Sequence, residues 1–403
     1  MLLGCIADDL TGATDLAVNL RREGLTVVQV NGVPRAELAA TDADAVVVAL
    51  KSRTIAAADA CRMALDSMAW LRAHGAQRIF FKYCSTFDST PEGNIGPVTD
   101  VLADALAAPI VPATPAYPRN QRTVYLGHLF VGEELLSESS MRNHPLTPMT
   151  DANLVRVLQA QTAHRVGLVT YAAVDAGADA IVARLHVLRE QGCRHAVIDA
   201  TTDAHLRSTA QAAVDLPLTT GGAGLGMGLA AALRDHALGR DVATRTVRGP
   251  AVILAGSCSQ ATLAQIAAVT DRLPARRIAP EALAAGPGEL ADAIAWARAH
   301  LGARPVLISA SVPPDQLART QAALGRERAA TLVEDAFRDI ARELAAAGVR
   351  RFVVAGGETS GAVVESLAGV LGFQALAVGT EIAPGVPWMT SVDGEAVALA
   401  LKS

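Results

Sequence analysis

The sequence predicts an α/β protein of two domains, each a mostly parallel β-sheet flanked by helices. Short apolar runs alternate with amphipathic segments almost from end to end, as in βαβ units. At 403 residues, the chain also exceeds the size at which a single core keeps growing. A charged, glycine-containing stretch at 234–249 separates two such blocks and is the best linker candidate. We therefore place the domains at 1–240 and 241–403.

The apolar runs of the first block are short, largely uncharged and rich in Val and Ile. This composition is typical of strands covered on both faces. The predicted strands are 2–7, 26–30, 45–50, 78–83, 166–171 and 195–200. The amphipathic segments 55–74 and 177–190 are predicted helices, which makes the first domain a parallel, doubly wound sheet.

The segment 109–148 breaks this alternation because it is dense in proline and polar residues. A stretch of this length inside a compact domain is usually a functional loop or a small subdomain.

The second block repeats the strand and helix pattern. Strands are predicted at 251–256, 305–310 and 351–356, and a helix at 330–347. Its apolar residues recur at helical intervals: Val333, Phe337, Ile340 and Leu344.

Composition excludes several classes of protein. Apolar residues make up 51% and charged residues 19%, which argues against disorder. A net charge of −5 without a long basic run indicates no nucleic-acid partner. No apolar stretch has the roughly 18 residues of a membrane helix. The five cysteines are scattered and read as reduced thiols, so we expect a cytoplasmic protein.

The stretch ADDLTGATD places two adjacent aspartates, Asp8 and Asp9, where the first strand ends and a helix begins. Ligands of open α/β sheets bind beyond the carboxyl ends of strands. A carboxylate there can accept a proton from a substrate hydroxyl or hold a polyol. The alternative is that Asp9 or Thr11 only caps the helix. The pair, followed by Asp15 one turn after Thr11, favours function.

A second polar cluster, FFKYCSTFDSTPEGN, also follows a strand. Lys82 could neutralise a carboxylate or phosphate, and Asp88 and the hydroxyls beside it could bind an oxygen-rich ligand. The alternative is a solvated loop from which Lys82 extends into water.

Three basic side chains in the irregular segment suit an acidic substrate: Arg119, Arg142 and His144. Arginine binds carboxylates through two parallel hydrogen bonds. Each alone is more often a surface residue, and His144 could be satisfied within its loop.

The glycine-rich stretch TTGGAGLGMGLAAAL at 219–233 lacks the spacing of the dinucleotide fingerprint. We interpret it as a backbone turn that lets a ligand or another domain approach closely.

Two turns of the second block share one design, an apolar strand, small residues and then a helix. They are AVILAGSCSQAT at 251–262 and RFVVAGGETSGAV at 351–363. Helix N-termini of this kind bind phosphate, but neither turn has the Gly-Lys-Ser/Thr of a Walker loop. The alternative is an ordinary turn capped by Ser259 or Thr359. The first domain thus has acidic and basic residues, and the second has phosphate-binding turns without a lysine. This combination favours a phosphoryl transferase acting across an interdomain cleft.

Several motifs occur here in the order found in the four-carbon acid sugar kinases, which the whole chain resembles. They are IADDLTGATD, FFKYCSTFDSTPEGNIG, RTVYLGHLFVG, SSMRNHPLTPMTDANLVRVLQ, GGAGLGMGL, ILAGSCSQAT and VVAGGETSGAV. The resemblance implies that ATP phosphorylates the 4-hydroxyl of a sugar acid. The segment RNHPLTPMTDANLVRVLQ is most similar to the 3-oxo-tetronate kinase branch.

The resemblance also implies which residues act. It places the substrate near Asp8, Asp9, Lys82 and the segment from Arg119 to His144. We hypothesise that either Asp8 or Asp9 orients the 4-hydroxyl and accepts its proton. The nucleotide-binding positions that it implies are Ser257, Gly356, Gly357, Glu358 and Thr359, together with Gly379 in an expected glycine turn, VGTEIAPGVP, at 378–387. We expect Mg²⁺ to bridge the phosphates, with Glu358 touching it through water. Family members usually continue past LALKS with a glycine-rich tail, whereas this sequence ends at Ser403.

Three alternatives stay open at this point. A threonate or erythronate kinase would keep the chemistry and change the substrate. A nicotinamide-dependent oxidoreductase is disfavoured because the dinucleotide-binding fingerprint is missing. A non-catalytic sensor that binds sugar acid and nucleotide is disfavoured by the clustered carboxylates. The expected partners are a sugar acid and ATP, with no nucleic acid or membrane. Formation of a homo-oligomer is left open.

Overall fold

A computed structural model describes residues 1–39, 42–144, 146–237, 242 and 245–402. The chain divides into an N-terminal unit, residues 1–242, and a C-terminal unit, residues 243–403. The predicted α/β class is confirmed. The predicted linker at 234–249 falls partly outside the described residues, and the predicted boundary between 240 and 241 falls wholly outside them.

The strands of the N-terminal unit follow the predicted pattern with two additions, β5 and β11, and a separate set of short strands. In chain order they are β1 (Leu3–Ala7), β2 (Val27–Asn31), β3 (Ala45–Ala49), β4 (Arg78–Lys82), β5 (Val111–Thr114), β6 (Arg122–Tyr125), β7 (His128–Val131), β8 (Glu134–Leu135), β9 (Arg165–Val169), β10 (Cys193–Ile198) and β11 (Leu218–Gly221).

The helices of this unit connect the strands. They are α1 (Leu10–Arg22), α2 (Ala57–Ala73), α3 (Ile95–Ala105), α4 (Leu154–Gln159), α5 (Tyr171–Asp175), α6 (Ala178–Glu190), α7 (Asp203–Ala213) and α8 (Ala223–Leu233). Single 3₁₀ turns lie at Pro118–Asn120, Ser140–Asn143 and Arg234–His236.

The main sheet of the N-terminal unit has the strand order β2-β3-β1-β4-β11-β5-β10-β9, and its described pairs are parallel. Strands β1 and β3 are buried at every position, because helices cover both faces. All carboxyl ends therefore lie at one edge of the sheet, with β3, β1 and β4 as neighbours. This edge carries the residues of the candidate site.

The segment predicted to be a loop or small subdomain begins with a strand of the main sheet, β5. The antiparallel strands β6, β7 and β8 follow. Asp199, which follows β10, links the turn between β6 and β7 to the start of α5: its carboxylate accepts hydrogen bonds from the backbone N–H groups of Leu126, Gly127 and Tyr171 at 2.7–2.8 Å. Burial raises the pKa of Asp199, although these three donors favour its charged form.

The glycine-rich stretch at 219–233 requires a correction. It forms β11 and then helix α8, and three of its glycines lie within the helix instead of in a ligand-binding turn. A Cβ atom on Gly228 would lie 2.7 Å from the Leu206 carbonyl oxygen of α7, and one on Gly226 would overlap Leu16 of α1. These glycines therefore allow close packing of helices inside the unit.

The C-terminal unit has the strand order β13-β14-β12-β15-β18-β17-β16, parallel except that β17 is antiparallel to both neighbours. Its strands are β12 (Ala251–Ala255), β13 (Ala275–Arg277), β14 (Val306–Ser309), β15 (Arg351–Ala355), β16 (Ala375–Ala383), β17 (Val386–Ser391) and β18 (Ala398–Lys402). Its helices are α9 (Gln260–Thr270), α10 (Pro280–Ala285), α11 (Gly288–His300), α12 (Pro314–Leu324), α13 (Arg326–Ala346) and α14 (Gly357–Leu371).

The helix predicted at 330–347 is α13, and three of its four predicted apolar positions, Phe337, Ile340 and Leu344, are fully buried. Throughout the described ranges, no helix has both the length and the apolar character required to cross a membrane.

The α8 packing gives a stability prediction. Gly228→Ala places a methyl group against a backbone carbonyl that cannot yield, so we expect a loss of about 1–3 kcal/mol in the free energy of unfolding. Gly369→Ala is the matched control, because Gly369 is also helical and an added Cβ would meet no atom within 4 Å. Thermal denaturation should show a lower midpoint for the first variant only. Equal midpoints for Gly228→Ala and the unmodified chain would contradict this account of the α8 glycines.

Candidate active site

Asp8 and Asp9 lie where β1 ends, and Lys82 is the last residue of the neighbouring strand β4. The register pairs Ala7 with Lys82, so the three side chains share the carboxyl edge of the sheet. Asp9 occupies the position before the first residue of α1, but its side chain makes no capping hydrogen bond. The Gly12 N–H of the first turn nevertheless favours the charged form of Asp9, so the start of α1 and the basic residues described below both stabilise this carboxylate.

Arg53, which the sequence analysis did not select, joins the two aspartates. Its Nε and Nη2 donate to Asp8 Oδ2 and Oδ1 at 2.9 and 2.8 Å, and Nη2 also donates to Asp9 Oδ1 at 2.6 Å. Arg53 follows β3, which pairs with β1, so the strand order brings the guanidinium to the same edge. One arginine thus binds both adjacent carboxylates.

Lys82 supplies the second positive charge. Its ammonium lies 3.4 Å from Asp9 Oδ1, and the side chain is only 5% exposed, which excludes the alternative in which it extends into water. The first turn of α1 leaves room for it: a Cβ on Gly12 would overlap the Lys82 Nζ atom. Burial lowers the pKa of Lys82, but the nearby Asp9 and Asp8 carboxylates outweigh it and hold this pKa above its ordinary value.

The two aspartates differ in environment. The Asp8 side chain is 7% exposed, both of its oxygens bind Arg53, and burial raises its pKa. The Asp9 side chain is 28% exposed. Burial raises the pKa of Asp9, but the charges of Lys82 and Arg53 outweigh it and bring this pKa to about 2. Asp9 is therefore the ionised carboxylate that a ligand can reach.

Asp15 extends the polar cluster along α1. Burial raises its pKa, while the charge of Lys82 acts in the opposite direction. Asn19 links Asp15 to the loop after β5, because its Nδ2 donates to Asp15 Oδ1 at 3.3 Å and to the Tyr117 hydroxyl at 2.9 Å.

The loop after Lys82 is folded back on itself. Thr86 Oγ1 donates to Asp88 Oδ1 at 2.6 Å, and both residues are buried. The assignment of Asp88 to substrate binding stays a prediction.

The three basic residues of the irregular segment are held by other partners. Arg119 forms an ion pair with Asp203 at 2.5 Å, Arg142 donates to the Ser137 carbonyl oxygen at 3.1 Å, and His144 Nδ1 accepts a hydrogen bond from the Thr147 N–H at 3.1 Å. Among the described residues, no hydrogen bond or ion pair joins any of the three to Asp9 or Lys82. Their role in substrate binding stays a prediction.

The turn between β12 and α9 is ordered by its own side chains. Ser259 caps α9 by accepting a hydrogen bond from the Thr262 N–H, as one alternative proposed. Ser257 Oγ donates to Ser259 Oγ at 3.2 Å. Ser257 itself is half-buried at the start of the turn.

The turn between β15 and α14 differs, because among the described residues no side chain caps α14. Thr359, the proposed cap, is buried, and a Cβ on Gly256 would overlap its hydroxyl. Gly356 has φ +121°, a backbone conformation that favours glycine, and it precedes Gly357 and the exposed Glu358 in the first turn. The N–H groups at the start of the helix, those of Gly357 and Glu358, are therefore available to bind an anion.

The α14 turn also contains an unpaired hydroxyl. Ser360 Oγ is buried and has no hydrogen-bond partner among the described residues. Together with the uncapped N–H groups, it fits a bound phosphate.

Gly379 lies within β16 instead of in an open turn. A Cβ there would come within 2.6 Å of the Trp388 carbonyl oxygen in β17, so close strand pairing already requires glycine. Its contact with nucleotide stays a prediction. In the part of the chain that the structure describes, no group of three or more His, Cys, Asp or Glu side chains is arranged to hold a metal ion.

The pairing of Arg53 with two carboxylates gives a pH-dependent stability prediction. The pKa of Asp9 lies below its ordinary value, so its contribution to stability is present above about pH 4 and is lost as the pH falls towards 2. Arg53→Met removes this contribution and leaves Asp8 buried without its partner. We expect it to lower the free energy of unfolding by about 3 kcal/mol at pH 7, and by less at pH 3.

The matched control is Arg72→Met, because the hydrogen bonds of Arg72 among the described residues go to the carbonyl oxygens of Ala76 and Gln77 and not to a carboxylate. Denaturant unfolding at pH 7, 5 and 3 gives the free energy of unfolding of each variant relative to the unmodified chain. This difference should become smaller towards pH 3 for Arg53→Met and stay constant for the control. A constant difference for both variants would contradict the pairing described above.

Comparison with known proteins agrees with the division into two units. A protein-family model described as "Sugar-binding N-terminal domain" matches residues 3–229. A second model, described as "Nucleotide-binding C-terminal domain", matches residues 252–403. The 3-oxo-tetronate kinases of Burkholderia multivorans and Pseudomonas fluorescens are each 53% identical to this chain; the matches cover 100% of the chain and 94% and 93% of the relatives.

Solved structures agree in fold. A Salmonella typhimurium LT2 protein, 42% identical, superposes with a TM-score of 0.90 over 100% of this chain and 95% of its own. Haemophilus influenzae protein HI1011, which is 43% identical, superposes with a TM-score of 0.84 over 99% of this chain and 96% of its own. Both family models match, and a relative is 53% identical over 100% of this chain and 94% of its own length. This chain therefore belongs to the four-carbon acid sugar kinase family.

Proposed function

We propose that this protein is an ATP-dependent kinase that phosphorylates the 4-hydroxyl of a 3-oxo-tetronate. The observation that carries the proposal is the Asp9 carboxylate, fixed by Arg53 and Lys82 at the carboxyl edge of the sheet. The 53% identity to 3-oxo-tetronate kinases across the whole chain supports this substrate class.

In the proposed reaction, Asp9 orients the substrate hydroxyl and accepts its proton. Arg53 and Lys82 both contact Oδ1, which leaves Oδ2 for the hydroxyl. A carboxylate with a pKa of about 2 is a weak base, but phosphoryl transfer has a loose transition state in which positioning and charge supply most of the acceleration. Asp8, with both oxygens bound by Arg53, positions that arginine.

The charges of the cluster also suit an acidic substrate. Arg53 and Lys82 balance Asp8 and Asp9, so a sugar acid that binds beside them needs further positive groups for its carboxylate. Arg119, Arg142 and His144 are our candidates, each half-buried or exposed.

The second unit is proposed to bind ATP through its two strand-to-helix turns. The free N–H groups at Gly357 and Glu358 and the Ser257 turn would hold the phosphates. Thr359 and Gly379 remain candidates for further contacts. Mg²⁺ would be held mainly by the phosphates, where it neutralises charge, with Glu358 as a water-mediated contact.

The proposal is tested by ADP release in the presence of Mg²⁺ with both 3-oxo-tetronates, threonate and erythronate. We expect turnover with a 3-oxo acid only. Turnover with threonate or erythronate would keep the kinase and reject the proposed substrate, and no turnover with any of the acids would reject the kinase.

A variant tests the role of Asp9. Asp9→Asn removes the charge with little change in shape, so we expect kcat to fall about a hundred- to ten-thousandfold. Calorimetry should show nearly unchanged Mg·ATP affinity. The control Asp59→Asn removes an exposed carboxylate that pairs with Arg62 on α2, and should leave kcat unchanged. Retention of full turnover by Asp9→Asn would exclude Asp9 as the base.

A further inference from the structure

Lys402 is fixed next to the proposed phosphate-binding turn of the C-terminal unit. It is the last residue of β18, which pairs in parallel with β15 so that Ala355 lies opposite Lys402. The Lys402 carbonyl oxygen accepts a hydrogen bond from the Gly356 N–H at 2.8 Å. The backbone of Lys402 therefore lies directly beside the start of the α14 turn.

The Lys402 side chain reaches the other turn. Its Nζ donates to Thr262 Oγ1 at 2.7 Å, and Thr262 is a buried residue of the first turn of α9. That hydroxyl also lies 3.0 Å from Ser259 Oγ, the cap of α9. The ammonium group is thus placed between the two strand-to-helix turns. It has three N–H donors, one of which this hydrogen bond uses.

The choice of lysine at this position is informative. The chain has 35 lysine and arginine residues, of which only Lys51, Lys82 and Lys402 are lysine. All three lie at or just after the carboxyl end of a parallel strand: β3, β4 and β18. A compact ammonium on a flexible stem can move between phosphate oxygens, whereas a planar guanidinium fits one bidentate geometry. The sparing use of lysine thus coincides with the edge of each sheet where ligands bind.

We propose that Lys402 is a nucleotide-binding residue whose ammonium neutralises the terminal phosphates of ATP. The inference rests on the proposed function. The turn residues Gly256–Ser259 and Gly356–Thr359 include no basic side chain, and helix N-termini supply only partial charges. Lys402 brings to both turns the full positive charge that their own sequences lack, and Thr262 holds the side chain in place. Neither turn contains a lysine in its own sequence because this lysine comes from a different strand, β18.

The presence of only three lysines in this sequence allows a direct test on the unmodified protein. The protein is treated briefly with an amine-acetylating reagent, and acetylation of Lys402 is measured by mass spectrometry alone, with adenosine and with Mg·ADP. We expect Mg·ADP to reduce acetylation of Lys402 severalfold, and adenosine, which has no phosphate, to leave it unchanged. If Lys402 is acetylated equally in a chain that binds Mg·ADP by calorimetry, this proposal is wrong and the proposed function stands. If the chain binds no Mg·ADP, both fail.

A variant gives an independent measurement. Lys402→Met should weaken Mg·ADP binding about ten- to a hundredfold and leave the affinity for adenosine unchanged, because only the charged contact is lost. The control Arg351→Met removes a positive charge at the opposite end of β15, where Arg351 binds the Gly249 carbonyl oxygen, and should not alter either affinity. Equal loss of adenosine and Mg·ADP affinity in Lys402→Met would indicate a structural role and overturn the proposal.

Discussion

The N-terminal unit depends on the compensation of two adjacent, largely buried carboxylates by one guanidinium and one ammonium. A buried charge is tolerated only when it is paired and hydrogen-bonded. Arg53 satisfies both oxygens of Asp8 and one of Asp9, and Lys82 adds a second contact to Asp9. These partners follow or end three neighbouring strands, β3, β1 and β4, so the strand order is what permits the cluster.

The pairing with Arg53 and Lys82 also gives the two aspartates different environments. Asp8 is enclosed and bound on both oxygens, while Asp9 keeps an accessible face and a pKa of about 2. Environments that separate two neighbouring carboxylates in this way commonly give them different tasks. In the proposed kinase, one aspartate holds the arginine and the other meets the substrate. The C-terminal unit uses a related device, in which Lys402 comes from a third strand to two turns that have no basic residue.

Much of the architecture could be predicted from the sequence. The alternation of apolar runs gave β1, β3, β4, β10, β12 and β15 within two residues at each end, because strands buried on both faces are continuous in their apolar character. The short strands β5 and β11 were missed, since each contributes only four residues and proline or glycine interrupts the apolar pattern. The antiparallel pair β16 and β17 was read as a glycine turn because of Gly379 and Gly385.

The candidate site was predictable where its residues end or directly follow a strand that the sequence shows. Asp8, Asp9 and Lys82 follow or end obvious strands, and the carboxyl-edge rule brought them together. Arg53 was missed because its proximity depends on β3 lying next to β1, which no local pattern reports. The rule that ligands bind beyond the carboxyl ends of strands also applies to the predicted strand AVVVAL at 45–50. It would have selected the residues that follow this strand, among them Arg53. Lys402 was missed for the same physical reason, since its neighbours in space are more than forty residues away in sequence.

The central claim is that Arg53 and Lys82 hold one oxygen of Asp9 so that the other receives the substrate hydroxyl. The most direct measurement is a crystal structure of the protein with a 3-oxo-tetronate bound. The account predicts the 4-hydroxyl oxygen within hydrogen-bond distance of Asp9 Oδ2, about 2.6–3.2 Å, with the contacts of Arg53 and Lys82 to Oδ1 retained. A bound acid whose 4-hydroxyl contacts Asp8, or lies away from both aspartates, would contradict it.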